Sequence, residues 1–179
     1  ALARGRPHHA YLFDGPEGIG KATCARALFL ALNCEAPAAP GDACGACPSC
    51  LKALSGNHPD FIRFDMTLAG LADQAEALLR RLAFSPHEGR AQLVVFDPAD
   101  QFSAPTAATA ANRLLKTLEE PVANTYFVLV CTSAQGLLVT LRSRTQRLRF
   151  GPLHDDIVAA ELMRRGHDEA TAARVARLS

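Results

Sequence analysis

A glycine-rich segment near the start of the chain has the residue types and spacing of a phosphate-binding loop. Gly15, Gly18, Gly20 and Lys21 lie in the run GPEGIGK, which fits the pattern G-x-x-x-x-G-K. The glycines allow backbone N–H groups to turn towards phosphate oxygens, and the lysine of such loops reaches the outer phosphates. A plain glycine-rich turn with a solvated lysine is the alternative. An apolar run before the loop and a helical pattern after it favour phosphate binding.

Two positions needed for hydrolysis of a nucleoside triphosphate depart from the pattern of phosphate-loop enzymes. Ala22 stands where a serine or threonine hydroxyl binds magnesium, and Thr23 lies about 100° further round the helix. Asp97 ends an apolar run, as a second magnesium-binding aspartate does, but Pro98 follows it. Proline has no carboxylate to polarise an attacking water molecule. We therefore predict that Mg²⁺-ATP binds weakly or not at all, and that the chain has no useful ATPase activity.

Four of the six cysteines have the spacing of a metal site, C-x9-C-x2-C-x2-C, formed by Cys34, Cys44, Cys47 and Cys50. Two short C-x2-C steps place thiolates on one knuckle, and the longer loop returns the first cysteine as a fourth ligand. An iron–sulfur cluster of the bacterial ferredoxin type would need its fourth cysteine after the triplet and before a proline. We predict structural Zn²⁺, because four sulfur ligands leave no position open for water. Cys24 and Cys131 are expected in the core.

The elements that position these groups follow from the apolar pattern. Short apolar runs alternate with helical patterns, which is typical of a parallel sheet covered by helices. The runs cover residues 10–13, 61–65, 92–97, 126–131 and 145–150. Helices are expected over 21–33 and 71–82, and from about Ser103, with Pro105 in the first turn, to a point before Pro121. Beyond Gly151 the pattern is purely helical, so we expect one domain over 1–150, with a cysteine module at 34–50, and a helical part over 151–179.

Composition limits the classes of protein that remain. The chain has 179 residues, 49% of them hydrophobic, with 19 Lys plus Arg against 18 Asp plus Glu. This balance indicates a folded globular chain and gives no overall charge to attract DNA or membranes. Polar residues interrupt the longest uncharged stretch, 125–141, which argues against a transmembrane helix. The first residues lack the pattern of a secretory signal, so a cytoplasmic location is expected.

Further motifs carry a resemblance to a known family. They are HAYLFDGPEGIGK at 9–21, GNHPD at 56–60, NRLLKTLEEP at 112–121 and SRT at 143–145. Together with the cysteine spacing they resemble the bacterial clamp-loader subunits of DNA polymerase III, which belong to the AAA+ ATPase superfamily. The resemblance runs from about residue 9 to 179. It implies an α/β AAA+ domain with a five-stranded parallel sheet, an inserted zinc knuckle and the start of a helical lid that continues past the last residue.

The resemblance also implies roles for particular residues. Thr132 matches the family's sensor position, which contacts the γ-phosphate, and Ser143-Arg144 matches its Ser-Arg-Cys motif, with Thr145 replacing the cysteine. Arg144 would then be an arginine finger that completes the ATP site of a neighbouring subunit. A solvated surface arginine is the alternative, since several other arginines lie nearby in the sequence.

Ala22 and Pro98 distinguish between subunit types, because the family's ATP-hydrolysing motor keeps the hydroxyl and an Asp-Glu pair. The resemblance therefore implies a non-hydrolysing stator subunit of a bacterial, cytoplasmic clamp loader. Its partners would be the gamma/tau and delta subunits and, indirectly, the sliding clamp and primed DNA, with no membrane partner. The alternatives are the gamma/tau motor itself, an unrelated P-loop ATPase or kinase in which Ala22 is compensated, and a zinc-stabilised binding module with a vestigial loop. Nucleotide binding and turnover would separate them.

Overall fold

The computed structural model describes residues 7–104 and 108–177. Within this part of the chain the strands are β1 (Ala10–Asp14), β2 (Phe61–Asp65), β3 (Gln92–Asp97), β4 (Thr125–Cys131) and β5 (Gln146–Arg149). The helices are α1 (Lys21–Asn33), α2 (Pro48–Leu54), α3 (Leu71–Leu82), α4 (Ala108–Glu119), α5 (Val139–Arg144), α6 (Asp155–Arg164) and α7 (Glu169–Ala176).

The five strands form one sheet in the order β2-β3-β4-β1-β5, and every neighbouring pair is parallel. The predicted five-stranded parallel sheet is therefore confirmed. Parallel strands require crossover connections, and the intervening helices supply them while covering the sheet. Because the strands are parallel, their carboxyl ends all lie at one edge of the sheet. This is the edge at which open α/β sheets bind ligands.

Alternation along the central strands places apolar side chains on both faces of the sheet. On one face, Phe96 and Phe127 pack with buried leucines of α3, α4 and α5. On the other face, Val95 and Val130 pack against α1, whose Phe29 is fully buried. Burial on both sides explains why these strands read as continuous apolar runs in the sequence.

The boundaries differ from the sequence pattern in a few places. α4 ends at Glu119, as the following Pro121 predicts. Ser103 ends a short 3-10 turn, and its hydroxyl donates to the carbonyl oxygen of Gly136 at 2.7 Å. Pro105 lies outside the described residues, so the start of α4 stays a prediction. The helices α2 and α5 were not predicted, because six or seven residues are too few to show a helical period.

The last two helices follow the sheet and pack on each other. Asp168 caps α7 by accepting a hydrogen bond from the backbone N–H of Thr171 at 2.9 Å. Across the described part of the chain, no helix combines the length and apolar character that crossing a bilayer requires.

Candidate functional site

A cavity of about 450 Å³ opens at the carboxyl edge of the sheet, against the first turn of α1. Its walls include five of the predicted site residues, Gly18, Gly20, Lys21, Asp97 and Thr132. The predicted phosphate loop and the strand-end residues thus come together in space. Gly15 lies beside this cavity, in an adjoining pocket that reaches Phe150.

Two glycines in the loop have backbone conformations that explain their residue type. Gly20 caps the start of α1 with a φ of 95°, in the left-handed region that costs other residues about 1–2 kcal/mol. Gly15 also has a positive φ, and a Cβ there would overlap the carbonyl oxygen of Phe150. The loop therefore needs glycine at these positions to turn from β1 into α1.

Lys21 lies at the first position of α1 and is buried. Its Nζ donates hydrogen bonds of 2.6 Å to the carbonyl oxygens of both Gly15 and Pro16. The ammonium group is therefore satisfied by the loop that it closes. A phosphate group entering the cavity would have to compete with these two carbonyls for the lysine.

The two departures from the pattern of hydrolysing enzymes both line the cavity, as Ala22 and Pro98. The carboxylate of Asp100 lies in the same cavity wall and is hydrogen-bonded to Thr132. The backbone N–H and the hydroxyl of Thr132 donate to it at 3.0 and 3.3 Å. The predicted sensor hydroxyl thus points to an acidic side chain. Glu17, Asp97 and Asp100 give the cavity three carboxylates against the single ammonium group of Lys21.

An ion pair joins the residue before the loop to the edge strand. Asp14, whose side chain is 6% exposed, accepts from Arg147 Nε at 2.8 Å and from Arg147 Nη2 at 2.5 Å. These hydrogen bonds hold the pKa of the Asp14 carboxyl below its ordinary value, against the opposing effect of burial. The pair ties β1 to β5 at the point where the loop begins.

Arg144 is the last residue of α5 and is not among the residues that line the cavity of its own chain. Its guanidinium forms an ion pair with Glu119 at 2.8 Å and donates to the carbonyl oxygen of Thr140 at 2.9 Å. The side chain remains 37% exposed. Thr145, which replaces the cysteine of the family motif, donates from its hydroxyl to the carbonyl oxygen of Leu141 at 3.0 Å and so closes the end of the helix.

The four predicted metal ligands come together in one cluster. One Sγ atom from each of Cys34, Cys44, Cys47 and Cys50 lies within 4.8 Å of all the others. A tetrahedral site with metal–sulfur bonds of about 2.3 Å has sulfur–sulfur distances of about 3.8 Å, so small adjustments suffice. The cluster can hold a metal ion.

Backbone N–H groups surround the sulfur atoms in a way that suits thiolates. Cys44 Sγ accepts from Ala46 N at 3.5 Å and from Cys47 N at 3.3 Å, and these bonds lower the pKa of the Cys44 thiol to about 6. Cys34 Sγ accepts from Cys44 N at 3.2 Å. Burial raises the pKa of Cys50 to about 12. A metal ion supplies the positive charge that the deprotonated form of such a buried thiol needs.

The two remaining cysteines differ in their environment. Cys131, at the end of β4, is buried as predicted, and burial raises its pKa to about 12. The prediction for Cys24 is wrong, because its side chain is exposed on α1. The α1 residues that face the core are its neighbours Ala25, Leu28 and Phe29.

His58 and Asp60, in the motif GNHPD, connect the cysteine module to the sheet. The His58 ring is buried edge-on against Phe29, and its Nε2 lies 3.2 Å from the hydroxyl oxygen of Ser49 on α2. Asp60 accepts hydrogen bonds from three consecutive backbone N–H groups, at residues 87 to 89. This motif therefore has a structural role in the described chain. His58 does not belong to the cluster of four possible metal ligands.

Comparison of the fold defines the class of protein. The chain is similar to the solved AAA domain of FIGL-1 in complex with ADP, with a TM-score of 0.62 and 13% identity over 97% of this chain and 55% of that one. At this identity the likeness shows the fold alone. The protein therefore has an α/β fold of the AAA type.

Sequence comparison identifies the family. The profile described as "DNA polymerase III, delta subunit" matches residues 1–154, and the chain belongs to this family. It is similar to DNA polymerase III subunit tau of Salmonella typhimurium, at 38% identity over 90% of this chain and 24% of the relative. It is also similar to subunit delta' of Bacillus subtilis, at 36% identity over 91% of this chain and 48% of the relative. The chain thus spans a quarter to a half of these relatives.

Three contacts of the site were not foreseen from the sequence. They are the ion pairs Asp14–Arg147 and Arg144–Glu119, and a longer one between Arg63 on β2 and Asp97. Each joins residues that are far apart in the sequence but lie on neighbouring elements. The sequence alone carries no sign of these pairings, because they depend on the order of the strands and on where α4 ends beside α5.

Proposed function

We propose that the chain is the non-hydrolysing delta-prime subunit of the bacterial clamp loader, which helps to place the sliding clamp on primed DNA. The observation that carries this proposal is the presence of Ala22 and Pro98 in the wall of the cavity. A magnesium-binding hydroxyl and a water-polarising carboxylate are needed there for hydrolysis. Overall similarity does not discriminate, since tau and delta' relatives are 38% and 36% identical.

The contacts within the loop support a site that does not turn over ATP. Lys21 is bonded to two carbonyl oxygens of its own loop, and the sensor residue Thr132 is bonded to Asp100. The residues present do not fit a magnesium ion well, because the pattern's two protein ligands are reduced to Asp97. We therefore infer weak or absent binding of Mg²⁺-ATP.

The functional group that the subunit contributes is Arg144, acting as an arginine finger on a neighbouring gamma/tau subunit. A guanidinium brought to the γ-phosphate stabilises charge in the transition state and is worth about 10³ to 10⁵ in rate. Arg144 suits this role because its side chain is partly exposed and its ion pair with Glu119 is a surface pair that is easily exchanged. The delta subunit would be the other partner in the ring.

The cysteine cluster is proposed to bind one structural Zn²⁺. Four sulfur ligands with N–H···S bonds around them match the donor set of closed zinc sites. The ion would hold α2 against α1, since α2 carries the last cysteine and follows directly on the third. Residues 151–179 are proposed to begin the helical lid, and the protein to work in the bacterial cytoplasm.

Reconstitution of the full-length protein with its motor and delta subunits tests the proposal. Arg144→Ala should remove the DNA-dependent turnover of the one ATP site that it completes, by about 10³-fold or more at that site. Arg142→Ala is the matched control, because Arg142 lies on the same short helix and is exposed. Unchanged ATPase activity of the Arg144→Ala assembly would reject the role in trans.

The alternative assignment, the gamma/tau motor, predicts that the isolated protein has ATPase activity. A motor would hydrolyse ATP by itself and would lose this activity on Lys21→Ala. The proposed stator shows no ATPase activity that depends on Lys21. A steady-state ATPase assay of the full-length protein and its Lys21→Ala variant therefore separates the two.

A further inference from the structure

A second cavity, of about 470 Å³, opens where the outer strand β2 meets α1 and α2. Among the described residues, its wall holds two arginines, Arg26 of α1 and Arg63 of β2, and no carboxylate side chain. This is the opposite of the phosphate-loop cavity, in which three carboxylates face one ammonium group. The second cavity therefore presents positive charge to any ligand that enters it.

The periods of helix and strand bring three donor side chains to this cavity. Phe61 and Arg63 are two residues apart on β2, so they lie on the same face of the sheet. Phe61 packs against Phe29 of α1, which shows that α1 covers this face. Thr23 and Arg26 are three residues apart on α1 and so are neighbours on the helix surface. The side chains of Thr23, Arg26 and Arg63 therefore border one space between α1 and β2.

Neither guanidinium group has a strong partner within the described part of the chain. Arg26 is half-buried and forms no hydrogen bond or ion pair with the described residues. Arg63 Nη2 lies 3.9 Å from Asp97 Oδ2, which is longer than a hydrogen bond, and the Arg63 side chain is 67% exposed. Asp65, on the same face of β2, accepts hydrogen bonds from Thr67. An exposed ion pair contributes about 1 kcal/mol or less, so both arginines are available to an anion.

The shape and the donors of the cavity favour a phosphate group over a carboxylate. Ala53 and Val95, which also line the cavity, are buried and apolar, and a low-dielectric wall focuses the potential of nearby charges into a cleft. One guanidinium group in the bidentate arrangement already occupies both oxygens of a carboxylate. A phosphate group keeps further oxygens for a second guanidinium group and for a hydroxyl, which is the donor set present here.

We propose that Thr23, Arg26 and Arg63 form a binding site for a phosphate group, separate from the phosphate loop. Thr23 lines both cavities, so the two are neighbours, but Lys21 lines the phosphate-loop cavity and not this one. The phosphate group belongs to a free anion or to a nucleic-acid backbone, which offer the same oxygens to the arginines. This goes beyond the proposed function, because the role of Arg144 in a neighbouring site does not use these residues.

Calorimetric titration of the full-length protein with pyrophosphate tests the proposal. Arg26→Ala and Arg63→Ala should each weaken binding by about tenfold or more, because each removes one charge-assisted contact. Lys21→Ala should leave this binding in place, which separates the site from the phosphate loop. Arg80→Ala is the matched control, because that arginine is 68% exposed against 67% for Arg63 and also pairs with one carboxylate, but lies on α3.

A fluorescein-labelled single-stranded oligonucleotide identifies the source of the phosphate group. Its binding is followed by fluorescence anisotropy over a range of salt concentrations. If the nucleic-acid backbone is the ligand, the double variant Arg26→Ala, Arg63→Ala should reduce the slope of log K against log salt by about 1.4, since each contact to a single strand contributes about 0.7. If this slope is unchanged while pyrophosphate binding is lost, the site takes a free anion.

Two results would overturn the proposal. The first is that neither pyrophosphate nor the oligonucleotide shows binding that depends on Arg26 and Arg63. The second is that sodium acetate, at the same ionic strength, displaces the bound probe as effectively as sodium phosphate does, since the site would then have no preference for phosphate. Neither result bears on the ATPase activity of the reconstituted assembly, so failure here and failure of the stator role are told apart.

Discussion

Asp60 anchors the connection between α3 and β3, and its contacts allow the cost of removing it to be estimated. Its carboxylate, 3% exposed, accepts from the backbone N–H groups of His87, Glu88 and Gly89 at 2.6, 2.9 and 2.7 Å. A hydrogen bond to a charged group contributes about 1.5–3 kcal/mol, and an orphaned N–H costs a similar amount. The three bonds share one acceptor group, and water can reach part of this segment. We therefore expect Asp60→Ala to lower the free energy of unfolding by about 3 kcal/mol, well below the sum.

Two further variants sharpen this estimate. Asp60→Asn keeps an oxygen that accepts from one or two of the N–H groups, so a loss of about 1 kcal/mol is expected. Asp65→Ala is the control, because Asp65 ends the strand that Asp60 precedes, is exposed, and accepts its hydrogen bonds from the nearby Thr67. Urea denaturation followed by circular dichroism measures each difference. A loss of 3 kcal/mol corresponds to a Tm lower by about 6–12 °C for a domain of this size.

The effect should depend on pH in one direction. Burial alone would raise the pKa of Asp60, but the three N–H groups and the nearby His58 outweigh it, so the pKa lies below its ordinary value of 3.8. A lowered pKa stabilises the folded state at every pH above the unfolded value, and this stabilisation is lost as the pH falls through the folded one. The difference between wild type and Asp60→Ala should thus be constant from pH 7 to about 5 and shrink below about 3.8. A loss under about 1 kcal/mol at pH 7, or a loss equal to that of Asp65→Ala, would refute the reasoning.

Three more predictions concern the metal cluster and the loop. The full-length protein should carry one Zn²⁺, and Cys50→Ser should abolish it and remove amide-exchange protection from α2 while the sheet stays protected; unchanged zinc content would contradict the assignment. Arg147→Met should raise the pH at which acid unfolding begins, because Asp14 loses the partner that lowers its pKa, whereas Arg149→Met on the same strand should have little effect. Gly15→Ala should lower the Tm more than Gly18→Ala in a thermal melt, because only Gly15 has backbone atoms of another segment against its Cβ position.

The sequence predicts fully buried strands well. It predicts short helices poorly, and it does not predict ion pairs between residues that are distant in the sequence. The run 92–97 coincides with β3, because β3 lies inside the parallel sheet, where both faces are apolar. The helix α2 escapes prediction inside a cysteine-rich segment, where Cys47 Sγ accepts from the backbone N–H of Cys50 in place of a usual cap. Its start combines this sulfur cap with Pro48 at the first helical position.

The pairing of charged side chains could not be predicted for a different reason. Asp14 and Arg147 are 133 residues apart, and they meet only because β5 lies beside β1 at the edge of the sheet. Arg63 meets Asp97 because β2 lies beside β3 in register. Motif spacing identifies the loop and the strand-end aspartate, but the order of strands decides which cations reach them.

The contacts around the loop hold it between β1, α1 and β5. Lys21 is held by the carbonyl oxygens of Gly15 and Pro16, and Asp14, the residue before them, is held by Arg147. The lysine of this loop therefore has its hydrogen-bond partners within the loop itself. β5, which carries Arg147, directly follows the helix that carries Arg144. A proposed stator that offers an arginine to a neighbour needs such a fixed connection, because an arginine displaced by even 1 Å from the phosphate loses much of its effect.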